Sequence, residues 1–268
     1  MDESALNATL VYRRDLNQRL SIVRVSPDGR SVPDFEPGQF VLLALPVAAG
    51  PDESTHGEAA APPRLVRRAY SVASPPSVRD YLEFYVVLIR EGALTPSLWS
   101  IRKGGRLWLD HRASGRFTLR DVPTGKDLVM VATGTGLGPF MSMLRHYRGR
   151  SRWRRFLLLH SARTAEDLGY REELEDICRQ DPSVLYLPTL TREPPDSAWT
   201  GLRGRVQTIL EGGAFERLAG SPLVPESTHV FLCGHPEMIE SVSGMLQSRG
   251  FRPHSKRNPG QLHFEKYW

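Results

Sequence analysis

The sequence lacks the features that would place it in a membrane, a disulfide scaffold or a metal-cluster protein. Only two cysteines, Cys178 and Cys233, occur in 268 residues, which excludes a disulfide framework and an iron–sulfur cluster held by four thiolates of this chain. No apolar run approaches the roughly 20 residues that a membrane-spanning helix needs. The histidines show no metal-ligand spacing. We therefore expect a globular protein without a metal site, and a cytoplasmic location by default.

Lysine is also scarce. The chain carries 35 basic and 30 acidic residues, a formal net charge of +5, but its only lysines are Lys103, Lys126, Lys256 and Lys266. Most of the abundant arginine is expected to be solvated surface charge. Because the forked guanidinium suits phosphate better than an ammonium group does, arginines at strand ends are candidate phosphate ligands.

The apolar pattern divides the chain into two halves. From Ala8 to about Leu119, short apolar runs alternate with turn signals, which is typical of an antiparallel barrel or sandwich. Beyond residue 122, strand-length runs alternate with helical periods, which predicts parallel βαβ units. We place two domains at 1–122 and 123–268. The predicted strands include 39–45, 68–72, 81–89, 106–109, 128–132, 156–160, 184–187 and 229–233, and the predicted helices are 96–101, 139–147, 167–179, 205–210 and 236–249.

A glycine loop follows the first predicted strand of the second half. It has the sequence GTGLGP, begins with Gly134, Thr135 and Gly136, and opens a helix. Glycines let backbone amides approach a ligand, and a helix N-terminus favours anions, so this loop suits a diphosphate. The dinucleotide fingerprint GxGxxG is not met, because Gly138 comes one place early. A tight turn without a ligand explains the loop taken alone.

Three arginines follow predicted elements in the same half. Arg163 comes after the second strand, where folds that choose NAD place an acidic residue against the ribose 2′-hydroxyl. An arginine there favours a 2′-phosphate and therefore NADP. Arg192 follows the next strand, and Arg205 lies in the segment GLRGR. Each alone is expected to be a surface residue; if all three lie at one edge of the sheet, they favour NADP.

The first half contains a strand segment with a cation, an aromatic ring and a hydroxyl. Arg68 and Tyr70 are two residues apart, so they share one face of a strand, and Ser71 follows them. This arrangement offers a phosphate ligand beside a flat stacking surface. As a bare pattern it is weak, since any edge strand could carry it.

Four motifs together resemble bacterial-type ferredoxin/flavodoxin–NADP reductases. They are RAYS at 68–71, GTGLGP at 134–139, CGHPEM at 233–238 and FEKYW at 264–268, in the order and spacing of that family. The resemblance extends from residue 35 to residue 268. It implies an FAD-binding antiparallel β-barrel followed by a Rossmann-like NADP-binding α/β domain. It also implies electron transfer between NADPH and a one-electron carrier, ferredoxin or flavodoxin.

The resemblance also implies roles in binding FAD. Arg68 would bind the FAD diphosphate, Tyr70 would stack on the isoalloxazine, and Ser71 would hydrogen-bond near flavin N5. Gly92 and Thr95 resemble a second diphosphate segment.

Other implied roles concern the nicotinamide and the chain end. Arg163, Arg192 and Arg205 resemble the 2′-phosphate ligands, and Cys233 resembles a thiol that lies near the nicotinamide. Trp268 would cover the other face of the flavin. Glu265 would relay a proton or orient the site, although an exposed tail carboxylate explains it nearly as well.

Two alternatives stay open from the sequence. The first is the reductase component of a multi-component oxygenase, served by a separate ferredoxin because the cysteine count excludes a fused cluster domain. The second is a nucleic-acid-binding module, against which the arginines form no basic stripe interleaved with aromatics. We expect no nucleic-acid partner and a monomer. The physiological acceptor, the direction of electron flow and the role of the 47–63 loop are not predicted.

Overall fold

The structure is a computed structural model that describes residues 6–47 and 64–266. Most of the 47–63 loop, and Trp268, lie outside these described residues. The chain divides into two compact units, Met1–Arg116 and Phe117–Trp268. The assignment of one cofactor to each of the two sequence-predicted domains stays a prediction. Among the described residues, no helix is long and apolar enough to cross a membrane.

The first unit contains a six-stranded antiparallel sheet with the strand order β4-β3-β6-β1-β2-β5. Strand-length apolar runs between turns produce it, as the sequence pattern predicts. The strands are β1 (Ala8–Asp15), β2 (Leu20–Pro27), β3 (Phe40–Val47), β4 (Arg64–Ser71), β5 (Leu82–Val87) and β6 (Arg106–Leu109), and the short helix α1 (Thr95–Ser100) follows β5.

The two end strands of this sheet lie close together. Just beyond β4, the Ala73 amide donates to the Glu83 carbonyl of β5 at 2.8 Å. The ring of Tyr70 meets that of Phe84 edge-on, with 6.2 Å between centroids. The sheet therefore curls into a barrel-like form. It does not close, because no ladder of hydrogen bonds pairs β4 with β5 in the described part of the unit. The predicted antiparallel, barrel-like fold class is confirmed.

The second unit contains a six-stranded parallel sheet with the order β10-β9-β8-β7-β11-β12. The predicted Rossmann-like α/β fold is confirmed. Its strands are β7 (Asp127–Thr133), β8 (Arg155–Ala162), β9 (Val184–Leu190), β10 (Leu202–Arg203), β11 (Thr228–Gly234) and β12 (Leu262–Lys266). Its helices are α2 (Gly138–Tyr147), α3 (Arg171–Gln180), α4 (Val206–Glu211), α5 (Ala214–Ala219) and α6 (Pro236–Ser248).

The strand order reverses direction at β7. Strands β8, β9 and β10 extend to one side of it, whereas β11 and β12 lie on the other. Open parallel sheets bind ligands outside the carboxyl ends of their strands at such a reversal. Here the two strands that flank the reversal, β7 and β11, end at Thr133 and Gly234.

Four elements of the second unit differ from the sequence prediction: α3, α5, β12 and the two-residue strand β10, which was not predicted. Helix α3 begins at Arg171 rather than at 167, because Ala165–Asp167 form a separate 3₁₀ turn and Tyr170 has a left-handed φ of 60°. Helix α5 was not predicted, since six residues carry too little periodicity. Strand β12 was not predicted either, because it is an edge strand with one exposed flank and only a weak apolar alternation.

A column of aromatic rings joins β12 to β11. The His263 ring stacks on Phe231, with 4.2 Å between centroids, and on His254 at 4.4 Å. His229 Nδ1 lies 3.1 Å from His263 Nε2. Burial lowers the pKa of His229 to about 4 and that of His263 to about 3, and the neighbouring Lys126 and His254 act in the same direction. Both imidazoles are therefore neutral in the folded protein at neutral pH.

This column predicts that acid weakens the fold. The unfolded chain takes up protons on these imidazoles below their ordinary pKa of about 6.5, whereas the folded protein does not until about pH 4. The free energy of unfolding should therefore fall as the pH is lowered from 6.5 to 4, by at most about 1.4 kcal/mol per pH unit for each buried histidine. Urea unfolding across this range measures the slope.

The double variant His229→Phe, His263→Phe is the matched control for that slope. It removes both titrating groups but keeps ring-sized side chains in the column. Its stability should vary less with pH between 6.5 and 4 than that of the wild type. An unchanged slope would show that other groups govern the acid sensitivity.

Candidate functional site

The glycine loop forms the turn between β7 and α2. Residues Gly134–Leu137 make one 3₁₀ turn, and α2 begins directly at Gly138. Gly134 has a left-handed φ of 52°, and a Cβ at this position would meet no atom within 4 Å. The loop therefore borders open space at Gly134. Thr135 and Gly136 follow it in the turn and are buried.

Two glycines allow this loop to approach the end of β11. A Cβ on Gly136 would lie 2.3 Å from the Cys233 carbonyl oxygen, and one on Gly234 would lie 2.2 Å from Thr133 Oγ1. Both distances are far below van der Waals contact, so neither position accepts a side chain without moving backbone. The glycines bring the loop directly against the Cys233 peptide, and the side chain of Cys233 is buried.

A side-chain hydrogen bond also links the same two strand ends. The His235 amide donates to Thr133 Oγ1 at 2.8 Å. The His235 side chain in turn accepts a hydrogen bond from the Glu237 amide at the start of α6. The residues that follow β11 are thus held to the last residue of β7.

A buried histidine that is not among the predicted site residues contacts the glycine loop. His160 of β8 is fully buried, with Nε2 3.2 Å from the Gly134 carbonyl oxygen and Nδ1 3.3 Å from the Tyr186 hydroxyl. Burial lowers the pKa of His160 to about 4. The available signal was a polar residue inside an otherwise apolar strand, FLLLHSA, next to a glycine loop on the neighbouring strand.

The three candidate phosphate arginines lie at one edge of the parallel sheet. Arg163 and Arg192 follow the carboxyl ends of the paired strands β8 and β9, and the Arg192 amide donates to the Arg163 carbonyl at 2.8 Å. Arg205 follows β10, the next strand in the sheet. All three side chains are exposed. The condition that the three arginines share one edge is therefore met, and their binding of phosphate stays a prediction.

The nearby Arg203 has a different role. Its guanidinium donates to the carbonyls of Glu193, Pro194 and Trp199 at 2.9 to 3.1 Å. Arg203 therefore braces the loop between β9 and β10, whereas no such set of loop contacts engages Arg205 among the described residues. Beside this loop lies a cavity of about 380 Å³ whose lining includes Ala165, Arg171, Glu193 and Trp199.

In the first unit, the register of β4 against β3 places Arg68 and Tyr70 on one face. Arg68 pairs with Leu43 and Tyr70 with Val41, and both partners point into the core. Tyr70 packs against that core, and burial raises the pKa of its phenol well above the ordinary value. Arg68 is exposed. Ser71, half-buried, ends the strand.

Thr95 and Gly92 close the turn after β5. Thr95 Oγ1 donates to the Ile89 carbonyl at 2.8 Å and accepts from the Ile89 amide at 3.0 Å. A Cβ on Gly92 would lie 3.0 Å from the same carbonyl. The Thr95 hydroxyl is therefore engaged within its own loop, and its expected contact with a diphosphate stays a prediction.

Cys233 and Glu265 occupy paired positions on neighbouring strands. They are aligned in the parallel pairing of β11 with β12, and Glu265 is half-buried. Trp268, the third predicted residue of this group, lies outside the described residues. No group of three or more His, Cys, Asp or Glu side chains is arranged to hold a metal within 6–47 and 64–266.

A barrel-like antiparallel sheet followed by a nucleotide-binding parallel sheet is the architecture of two-unit oxidoreductases that use nicotinamide nucleotides. Residues 130–244 match the family described as the oxidoreductase NAD-binding domain. A ferredoxin NADP+ reductase from Neisseria gonorrhoeae, solved with bound FAD and NADP, superposes with a TM-score of 0.82 at 29% identity over 97% of both chains.

Curated relatives narrow the class to one family. The flavodoxin/ferredoxin–NADP reductase of Buchnera aphidicola (subsp. Baizongia pistaciae) is 32% identical over 94% of each chain. That of Escherichia coli K12 is 33% identical over 87% of this chain and 88% of its own. The chain belongs to the flavodoxin/ferredoxin–NADP reductase family.

The close approach of the glycine loop to β11 predicts a stability difference between two glycines. Gly136→Ala forces a methyl group into the Cys233 carbonyl, so the free energy of unfolding should fall by about 1–3 kcal/mol. Gly244→Ala, inside α6 and with no atom near its Cβ position, should leave stability unchanged or raise it by about 0.5–1 kcal/mol. Denaturant unfolding measures both. Equal stability of Gly136→Ala and the wild type would contradict the close approach.

Proposed function

We propose that this chain binds FAD in its first unit and NADP(H) in its second, and moves electrons between NADPH and ferredoxin or flavodoxin. The observation that carries the proposal is the common sheet edge of the second unit, which presents the glycine loop and three arginines side by side. Similarity to flavodoxin/ferredoxin–NADP reductases over most of the chain supports the same reaction.

The residues of the second unit fit NADP(H). Backbone amides of Gly134, Thr135 and Gly136 would hold the diphosphate, with the positive end of α2 behind them. The open space at the Gly134 Cβ position leaves room for a ligand. Arg163, Arg192 and Arg205 would bind the 2′-phosphate, because guanidinium groups pair with phosphate through two parallel hydrogen bonds.

The residues of the first unit fit FAD. The exposed guanidinium of Arg68 would neutralise the diphosphate, and Tyr70, on the same strand face, would stack on the isoalloxazine. Burial keeps the Tyr70 phenol protonated, so it presents a neutral ring. Ser71 would hydrogen-bond near N5, and the backbone of Gly92–Thr95 would contact the diphosphate. Bound FAD accepts electrons as a pair and releases them singly, a chemistry that no amino-acid side chain supplies.

The remaining predicted residues concern the nicotinamide. The Cys233 thiol would contact its ring, and the Glu265 carboxylate, aligned with Cys233 on the next strand, would orient the site or hold a proton there. Trp268 would cover the flavin and be displaced by the incoming nicotinamide, since aromatic stacking contributes only about 0.5–1.5 kcal/mol beyond the burial of the rings.

Exposed basic residues of the first unit suit an acidic electron carrier. Arg102, Lys103, Arg112 and Arg116 are all exposed, and opposite charge raises the rate of encounter at low salt. The monomeric state, the cytoplasmic location and the absence of nucleic-acid binding stay predictions. Membership of the reductase family disfavours both the oxygenase-component and the nucleic-acid alternatives.

The activity is tested with purified protein. We expect a yellow protein with flavin absorbance that reduces ferredoxin or flavodoxin with NADPH as the electron donor. A colourless protein that does not bind added FAD would overturn the proposal. Faster reduction of an oxygenase's own ferredoxin than of every general carrier would favour the oxygenase component.

The arginine edge predicts the choice between the two nicotinamide nucleotides. Arg163→Ala and Arg192→Ala should each raise KM for NADPH about tenfold or more while changing KM for NADH little, since NADH carries no 2′-phosphate. Arg148→Ala, an exposed arginine at the far end of α2, is the control and should change neither. Equal losses with both nucleotides would contradict the assignment.

Variants of two adjacent arginines on β4 distinguish a specific effect on FAD binding from a general effect of lost surface charge. Arg68→Ala should yield protein poor in FAD, because the diphosphate loses its cation. Arg67 lies on the opposite strand face, where its guanidinium stacks over Trp108, so Arg67→Ala should keep its FAD. The ratio of flavin to protein absorbance measures both. Full flavin in Arg68→Ala would count against the role of Arg68.

A further inference from the structure

Tyr186, His160 and Gly134 are linked by two hydrogen bonds whose donors and acceptors can be assigned. The Gly134 carbonyl oxygen can only accept, so the His160 Nε2 that lies 3.2 Å from it carries the proton. Nδ1 of the neutral ring is then an acceptor, and the Tyr186 hydroxyl, 3.3 Å away, donates to it. The direction of donation runs from Tyr186 through His160 to Gly134.

The hydrogen bond to the Gly134 carbonyl bears on the orientation of the Gly134–Thr135 peptide group. A trans peptide is planar, so its C=O and N–H point in opposite directions. With the Gly134 carbonyl turned toward His160, the N–H of Thr135 points away from His160. The hydrogen bond therefore determines where this amide donor is directed.

Gly134 itself does not enforce that orientation. It has a left-handed φ of 52°, and glycine accepts many backbone conformations because it has no Cβ. Rotation of the Gly134–Thr135 peptide would exchange the N–H for a carbonyl oxygen, which repels phosphate. Glycine at 134 permits either orientation of the Gly134–Thr135 peptide, so the contacts of its carbonyl oxygen, including the hydrogen bond from His160, select one of them.

We propose that His160, aligned by Tyr186, is a positioning residue that keeps the Thr135 amide directed at the NADP(H) diphosphate. This inference rests on the proposed function, since it assigns the diphosphate to the glycine loop. His160 is fully buried, so its effect on a ligand is transmitted through the Gly134 peptide. Because burial keeps the imidazole neutral near pH 7, the direction of donation holds at neutral pH.

Binding of two ligands to the FAD-loaded protein tests the proposal. NADP+ contains the diphosphate, whereas adenosine 2′-monophosphate contains the 2′-phosphate but no diphosphate. By calorimetry, His160→Phe should weaken NADP+ binding about tenfold, the loss of roughly one charge-assisted hydrogen bond. Its affinity for adenosine 2′-monophosphate should stay within about twofold of that of the wild type.

Further variants separate positioning from general packing. His160→Gln supplies an amide N–H donor and a carbonyl acceptor in place of the two ring nitrogens, so it should recover most of the NADP+ affinity. Tyr186→Phe removes the donor that fixes the ring tautomer and should weaken NADP+ binding by a smaller factor, which keeps the test available if His160→Phe does not fold. His229→Phe alters a buried imidazole far from the loop and should bind both ligands like the wild type.

The outcomes distinguish failure of the positioning role from failure of the proposed function on which it rests. A wild type that does not bind NADP+ would defeat the proposed function. A wild type that binds NADP+ while His160→Phe binds it equally well, or loses both ligands equally, would overturn the positioning role alone. No recovery in His160→Gln would also count against it.

Discussion

The second unit depends on the approach of two strand ends to within backbone contact. The turn after β7 and the end of β11 are so close that a side chain on Gly136 or Gly234 would overlap the opposing chain. This approach occurs where the strand order reverses, the one place in a parallel sheet where neighbouring connections leave in opposite directions. The glycines are needed here for space, and the shape of the glycine loop follows from that requirement.

The contact between the glycine loop and the end of β11 lies beside the other residues of the site. Helix α2 begins at Gly138, directly after the loop at the carboxyl end of β7, and the parallel register carries Arg163, Arg192 and Arg205 to the same edge from three adjacent strands. Contacts from outside the loop then hold it: Thr133 Oγ1 accepts from the His235 amide, and His160 binds the Gly134 carbonyl. Space, charge and orientation are thus provided by different residues on neighbouring strands.

Much of this was predictable from the sequence, for physical reasons. Apolar runs and turn signals predict both sheets, and strand ends in a parallel sheet must share an edge, so the positions of the three arginines could be inferred. His160 was overlooked because its role depends on a contact with the neighbouring strand's loop, which no local pattern records. Two further features were not predicted: the hydrogen bonds of the Thr95 hydroxyl to Ile89 within its own turn, and the edge strand β12, whose apolar alternation is weak.

A crystal structure of this protein with NADP+ tests the central claim most directly. The account predicts the diphosphate within hydrogen-bonding distance of the amides of Gly134–Gly136, with the 2′-phosphate among Arg163, Arg192 and Arg205. A diphosphate bound away from the carboxyl ends of β7 and β11, or a 2′-phosphate that contacts none of the three arginines, would contradict it.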